Sequence, residues 1–370
     1  MSEIRVREAD AADNPALTAL SKACPSGGGV RVYVDRSPDY FALTRLQGDR
    51  WWVGVAEVAD GIVGSISAAA RTVYLHGAPR DAWYVSDLKV APRFRGPRLA
   101  VADRLVAALQ EAGGAVTGFD APGVLLILAG NRSMERRTAG PRGLARLDRF
   151  ATLRSLAIPA LWAPRGRRAG PAVGRAAAGD LEEMAALWRR VASRRQFAPA
   201  LDAGSMARTI AAAPGLAAES YLLARGPDGR LEGFLAHWDQ RELKRLVISR
   251  YPPHLAALRR LYNLAAAAFR APSLPGGGSP LRIHSLFQVC VPADRPEVLR
   301  HLLLHACAAA RRRGAALLQL GLDRRDPLLR AVRGLCAQAT DAHAYATTAA
   351  GRYHGPSLDD RPLHVELALV

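Results

Sequence analysis

Residues 83–100 read Trp83-Tyr-Val-Ser-Asp-Leu-Lys-Val-Ala-Pro-Arg-Phe-Arg-Gly-Pro-Arg-Leu-Ala100. The run from Trp83 to Val90 has the composition of a buried strand. The Arg/Gly segment after it opens into a helix that sets Leu99, Ala102, Leu105, Val106 and Leu109 on one face. A strand, an Arg/Gly loop and a helix start together make a place to hold a diphosphate. Main-chain N–H groups converge in the loop, and the helix start carries a partial positive charge. The stretch predicts a protein that handles a phosphorylated cofactor.

The flanking sequence has a consistent order. Ile4-Arg-Val-Arg7 alternates like a strand, and Asp10 or Asp13 can cap a helix through Leu17 and Leu20. A basic-glycine loop at 25–29 and a helix near 38–46 follow. Asp60-Gly61 lies between the apolar runs Trp52–Val58 and Ile62–Ala68, a strong hairpin signal. After the quoted stretch, Gly113-Gly114 is expected to stop the helix. Val124–Ala129 reads as a buried strand ended by Gly130-Asn131, and residues 132–137 as an Arg-rich helical turn. This order predicts an α/β (α+β) protein with a mixed sheet.

The chain has 370 residues, enough for two domains. Residues 164–172, rich in Arg, Gly and Pro, read as a linker between domains at 1–163 and 173–370. The pattern then restarts: Arg7 has a counterpart in Arg175 and Asp60-Gly61 in Asp228-Gly229, both at an offset of 168. The shared offset predicts an internal duplication. The stretch from Arg241 to Pro280 has no equal in the first half. A strand at 286–291, a loop at 292–296 and a helix at 297–313 repeat the strand–loop–helix unit, but this loop has no glycine. A last strand is expected at 364–370.

Composition sets limits. Half the residues are hydrophobic (49%), so a folded chain is expected. The net charge is +18, but only Lys22, Lys89 and Lys244 of the 51 basic residues are lysines. With abundant Ala and Gly, that bias reflects a GC-rich coding sequence more than selection for a polyanion, and nucleic acid is disfavoured as a partner. The four cysteines, Cys24, Cys290, Cys307 and Cys336, have neither disulfide-framework nor zinc spacing. His301 and His305 stand four apart without an acidic third ligand, so no metal is expected. Arg311–Arg313 complements a helix C-terminus. A charged start and the lack of a spanning apolar run argue for a cytoplasmic protein without membrane segments.

The first half, over about residues 4–160, resembles the GCN5-related N-acetyltransferase superfamily. Its central pattern is Arg or Gln, two residues, Gly, one residue, then Gly or Ala. Arg93-Phe-Arg-Gly96-Pro-Arg98 fills the first four places, with Leu88-Lys-Val90, Pro92 and Leu99-Ala100 as fitting flanks. Arg98 departs from the usual small residue. The Gly130-Asn131 strand end matches the family's second coenzyme-facing strand. The degenerate second half resembles tandem members of the superfamily.

That resemblance implies an N-acetyltransferase moving an acetyl group from acetyl-CoA, its co-substrate, directly to a primary amine on a small molecule or peptide. The pantetheine arm would lie against Leu88, Lys89 and Val90. Arg93, Phe94, Arg95, Gly96, Pro97, Arg98, Leu99 and Ala100 would hold the diphosphate, with Asn131 as a further coenzyme contact. An N–H near Leu88 or Val90 would polarise the thioester carbonyl. Asp87 is the first candidate for the base that deprotonates the amine, and Glu57 the second. The family's thiolate-protonating tyrosine has no counterpart, since no tyrosine occurs between Tyr84 and Tyr221; Ser133 or a water would serve. Each position also has a plainer reading: Gly96 as a turn, Asp87 as a surface or capping residue, Asn131 as a strand terminator, Glu57 as a solvated hairpin residue. Arg98 and the missing tyrosine keep an alternative open, a coenzyme-binding sensor or scaffold without turnover. The acceptor is unspecified, and a homo-oligomer is left open.

Overall fold

Alternating apolar residues on either side of Asp60-Gly61 zip into a long hairpin, with Gly61 supplying the positive φ of the turn. The computed structural model describes residues 3–26, 30–96, 99–118, 120–139, 147–164, 170–268, 272–355 and 357–370. The first half runs β1 (Arg5–Glu8), α1 (Asn14–Ala23), β2 (Arg31–Asp35), α2 (Phe41–Gln47), β3 (Arg50–Val58), β4 (Gly61–Leu75), β5 (Ala78–Val90), α3 (Val101–Thr117), β6 (Gly123–Leu128), α4 (Arg132–Ala139) and β7 (Asp148–Pro159). The second opens with β8 (Ala172–Arg175), α5 (Leu181–Ala192), β9 (Ala198–Pro199), α6 (Ala203–Ala212), β10 (Tyr221–Arg225) and β11 (Leu231–Asp239). It continues with β12 (Arg245–Arg250), α7 (Pro253–Ala268), β13 (Ile283–Cys290), α8 (Pro296–Arg312), β14 (Leu317–Asp323), β15 (Gln338–Thr348) and β16 (Gly351–Arg352).

The strands form one mixed sheet in the order β1-β3-β4-β5-β6-β15-β7-β14-β13-β11-β10-β8. The element sequence repeats, and the two halves exchange strands β7 and β15. β15 of the second half pairs with β6, and β7 of the first pairs with β14. β7 and β15 also pair with each other, which closes the sheet across the middle. The halves touch again through a small separate ribbon of β2 and β12. The anticipated linker lies after β7 and ends on the first residue of β8; residues 165–169 are outside the described set, as are 27–29 of the basic-glycine loop.

Helices cover the sheet through apolar stripes. Val101, Leu105 and Leu109 of α3 pack on Val63, Ile66 and Trp83. Met184, Leu187 and Trp188 of α5 pack on Tyr221 and Phe234, and Leu299, Leu302 and Leu303 of α8 on Leu318 and Leu320. Burying a side chain of this size is worth about 1.5–3 kcal/mol.

Three sequence expectations are corrected. α3 does not stop at Gly113-Gly114 but continues to Thr117. Gly113 is there for contact, because a Cβ on it would come within 2.7 Å of the Trp83 ring. The strand expected at 364–370 is instead a single bridge from Leu363 to Gln196 and a 3-10 turn over Leu367–Leu369. The repeat offset at the start of the halves is 167, since α1 begins at Asn14 and α5 at Leu181. Arg7 binds Asp13 and Glu57, whereas the matching carboxylate Asp180 takes its cation from Arg225, not from Arg175.

Candidate functional site

β5 and β6 are parallel neighbours only at Trp83–Val85 against Gly123–Leu125. Beyond Val85 they part, and the gap opens into a cavity of about 1030 Å³. The cause lies in β5. Its register against β4 slips between Ser65 and Ser67, and Asp87 takes a φ of 57°. A bulge of this kind turns the strand away from its former neighbour, and Asp is among the few residues that tolerate left-handed backbone.

The cavity wall follows from this geometry. Asp87, Leu88, Lys89 and Val90 form one edge, Phe94, Arg95 and Gly96 the loop, Val101 and Ala102 the helix start, and Asn131 and Ser133 the far side. Thr347 and Thr348 of the exchanged strand β15 also line it, as do Cys24 and Ser26 after α1. Much of the wall is apolar: Ile66, Val85 and Leu109 pack with Trp83, and Leu125 and Ile127 line it as well. That indole rests against Gly123, where a Cβ would lie 2.2 Å from its Nε1. The Val90 carbonyl accepts from Arg95 Nε at 2.8 Å and from the Cys24 thiol at 3.3 Å.

The other sequence-nominated residues are placed as follows. Arg93 does not line the cavity; its guanidinium stacks on the Phe94 ring at 5.0 Å. Leu99 and Ala100 lie just before the helix start and off the lining, and Pro97 and Arg98 are outside the described residues. Asn131 is exposed and its Oδ1 accepts from the Met134 N–H at 3.4 Å. Glu57 is not brought to the cavity. It faces β1 and is held by Arg7 Nε at 2.8 Å.

Asp87 sits in a buried charge cluster. Its carboxylate accepts from Arg36 Nη1 at 2.6 Å and from Lys89 Nζ. The three side chains are 8%, 3% and 19% exposed, so the pairs are barely screened. Burial pushes the Asp87 carboxyl up, but the Arg36 guanidinium and then the Lys89 ammonium outweigh it and hold it well below the usual carboxylate range. The Ser65 hydroxyl donates to the Asp87 carbonyl at 3.1 Å. Arg36 also lies over the Tyr40 ring at 4.9 Å. Lys244, from the second half, completes the group. Its ammonium donates to a main-chain oxygen of Val370 at 2.6 Å, and burial, with the Arg36 charge, pulls it down to about 7 against the attraction of Asp87. A carboxylate already saturated by two cations is a poor proton acceptor, which corrects the expectation that Asp87 is the base.

Sequence reading had not singled out Arg36, Lys244, Cys24, Thr347 or Thr348. Arg36 and Lys244 reach the site through the β2–β12 ribbon, and the threonines through strand exchange. No local pattern announces either contact.

The second half has the same bulge, with Gln288 at φ 47°, but there it is occupied. β13 and β14 pair only over Ile283–Ser285. The Gln288 N–H donates to Glu366 at 3.1 Å, and the Tyr221 hydroxyl donates to the Gln288 side chain at 2.7 Å. Leu286, Val291, Val298 and Leu302 belong to the buried cluster beneath α8. Among the described residues no group of three or more His, Cys, Asp or Glu side chains could hold a metal, and no helix is long and apolar enough to cross a membrane.

No protein-family model and no curated protein matches the sequence. Solved structures do match by shape. The chain is similar to Saccharomyces cerevisiae N-myristoyltransferase with bound myristoyl-CoA, at a TM-score of 0.60 and 14% identity over 94% of this chain and 83% of that one. It is similar to a GCN5-related N-acetyltransferase from Sphaerobacter thermophilus, at 0.55 and 14% over 94% and 96%. A probable N-acyltransferase from Enterococcus faecalis follows at 0.51 and 10% over 95% and 73%. Each likeness spans both halves, and at these identities it is a likeness of fold. With its splayed strands, its bulge and its repeated element order, the chain has the GCN5-related N-acetyltransferase fold, built twice in tandem and joined by strand exchange.

Proposed function

We propose that the protein is an acyl-CoA-dependent N-acyltransferase whose reaction takes place in the first half, with acetyl-CoA as the donor and a primary amine on a small molecule or peptide as the acceptor. The observation that carries this reading is the open gap between β5 and β6, set against the second half, where Glu366 and Tyr221 occupy the equivalent bulge. The solved neighbours include a protein with bound myristoyl-CoA and a GCN5-related N-acetyltransferase, which supports a coenzyme A thioester as donor.

In this reading the pantetheine arm runs along Leu88–Val90, and Phe94–Gly96 with the start of α3 meet the diphosphate, with Asn131 opposite. A main-chain N–H at Leu88 or Val90 polarises the thioester carbonyl as charge builds on its oxygen. Asp87 stays anionic and fixes Arg36 and Lys89, so it positions the bulge and does not carry a proton. Lys244, whose ammonium burial lowers to about 7, is the candidate to accept the ammonium proton of the acceptor through water. Ser133, exposed on the cavity wall, or a water returns a proton to the leaving thiolate.

Titration calorimetry with acetyl-CoA tests the first step, and the absence of binding at millimolar ligand ends the assignment. Thiol release across a panel of amines tests turnover. Binding without release favours a coenzyme-binding sensor or scaffold. Lys244→Met should flatten the acid limb of kcat/KM near pH 7 without changing coenzyme affinity; an unchanged pH profile removes Lys244 from the proton path.

A further inference from the structure

The segment between β11 and β13 has no counterpart in the first half, and its charge is one-sided. No Asp or Glu occurs between Glu242 and Asp294, and of the cations there Arg250, Arg260 and Arg282 are exposed, whereas Lys244 is partly buried against Val370 and Arg245 pairs with Asp35 at 2.8 Å. Its helix α7, Pro253–Ala268, is sixteen residues long and lies at the surface. Leu258, Leu261 and Leu264 are 56%, 63% and 71% exposed, the three large hydrophobic side chains so exposed among the described residues. They form one stripe at helical spacing, extended by exposed Ala257 and edged by exposed Arg260. The opposite side is anchored. Tyr262 donates to the Ala316 carbonyl at 3.3 Å, Asn263 bonds Leu274 in both directions, and Arg259 stacks on Tyr251 at 5.4 Å. The leucines therefore do not face outward for want of a fixed orientation. A contiguous apolar stripe on a firmly seated helix marks a contact surface.

We propose that α7 is a peripheral docking face for an anionic lipid bilayer. The three leucines would enter the interface, while exposed Arg260 beside them, with exposed Arg250 and Arg282 of the same segment, would neutralise acidic headgroups. Charge selects this occupant over a second copy of the chain. Two such faces would bring cations against cations with no carboxylate from the segment to offset them. It also distinguishes the face from a nucleic-acid surface, which has no use for exposed leucines. Such docking is peripheral and involves no spanning segment, and it does not depend on the reaction proposed above.

Sedimentation of the full chain with phosphatidylcholine vesicles, with and without phosphatidylglycerol, tests the proposal at low and at physiological salt. The expected result is binding that requires the anionic lipid and weakens with salt. Arg260→Gln should lower partition by roughly fivefold. The deciding variant is Leu258→Ser, Leu261→Ser, Leu264→Ser, which leaves the net charge unchanged and alters only exposed side chains. It should lose about tenfold or more in partition, with unchanged thermal unfolding and coenzyme binding. If this variant partitions like the parent, attraction is by bulk charge alone and the proposal fails. It also fails if the parent ignores anionic vesicles, or if it forms a dimer in sedimentation velocity that the serine variant abolishes.

Discussion

Replacing Asp87 by Asn tests the electrostatic account of the bulge directly. The shape is kept and one negative charge is lost. Arg36 and Lys89, whose side chains are 3% and 19% exposed, then lack the partner that offset their desolvation. Removing one member of a buried ion pair costs about 3–5 kcal/mol, because the charge left behind is uncompensated. Lys89 can relieve its share by losing its proton, since burial lowers its ammonium once Asp87 no longer raises it. Arg36 has no such exit. The expected loss is therefore near the lower bound, about 3 kcal/mol at pH 7. Native stability is only about 5–15 kcal/mol, so this shift is readily measured by urea unfolding followed through tryptophan fluorescence. Asp87→Asn with Arg36→Met should recover at least about 1 kcal/mol of it, because the stranded cation is gone as well. The pH dependence has a definite sign. A carboxyl held below its unfolded value of about 3.9 contributes stability above that pH and loses it as pH falls toward the folded value. The gap between parent and variant should then narrow below about pH 4. A gap under about 0.5 kcal/mol at pH 7, or one that does not change with pH, would show that the cluster does not hold the bulge.

Gly123→Ala would drive a Cβ into the Trp83 indole at the one place where β5 and β6 still pair. A loss of about 1–3 kcal/mol and weaker acetyl-CoA binding are expected, read by urea unfolding and calorimetry; no change in either would refute the tight contact. His237 and His284 stack in the second half, with their rings parallel to within 4°. Burial first, then nearby positive charge, pushes His237 down to about 4, and burial takes His284 down to about 4 against the opposing pull of Asp239. The unfolded chain binds those protons more readily, so stability should be full above about pH 6.5 and fall toward pH 4, by up to about 3 kcal/mol per ring. His237→Phe should weaken that slope; urea midpoints independent of pH across the window would overturn the assignment.

What could be read locally was legible in the sequence. Asp60-Gly61 and Asp228-Gly229 marked both hairpins, and Trp83–Ala100 marked the strand, loop and helix at the cavity. Long-range arrangements were not. Gly113-Gly114 has the look of a helix stop, but small residues also allow close contact, and the Trp83 indole takes that space. Asp87 stands where a base is wanted; its neutralisation depends on Arg36, which lies fifty-one positions away. The exchange of β7 and β15 leaves no trace in either strand's own pattern, because either partner edge would satisfy the same alternation.

That exchange makes the two halves a single folding unit. Neither β6 nor β14 finds its outer neighbour within its own half, so a chain interrupted between β7 and β8 would still be held together by interlocked strands. Assembly must wait until residue 348 has been made before the strand beside the open gap can settle. Its rate should accordingly be set by contacts distant in sequence. A fragment ending at the first half would expose an unpaired edge at β6, open to association with other chains.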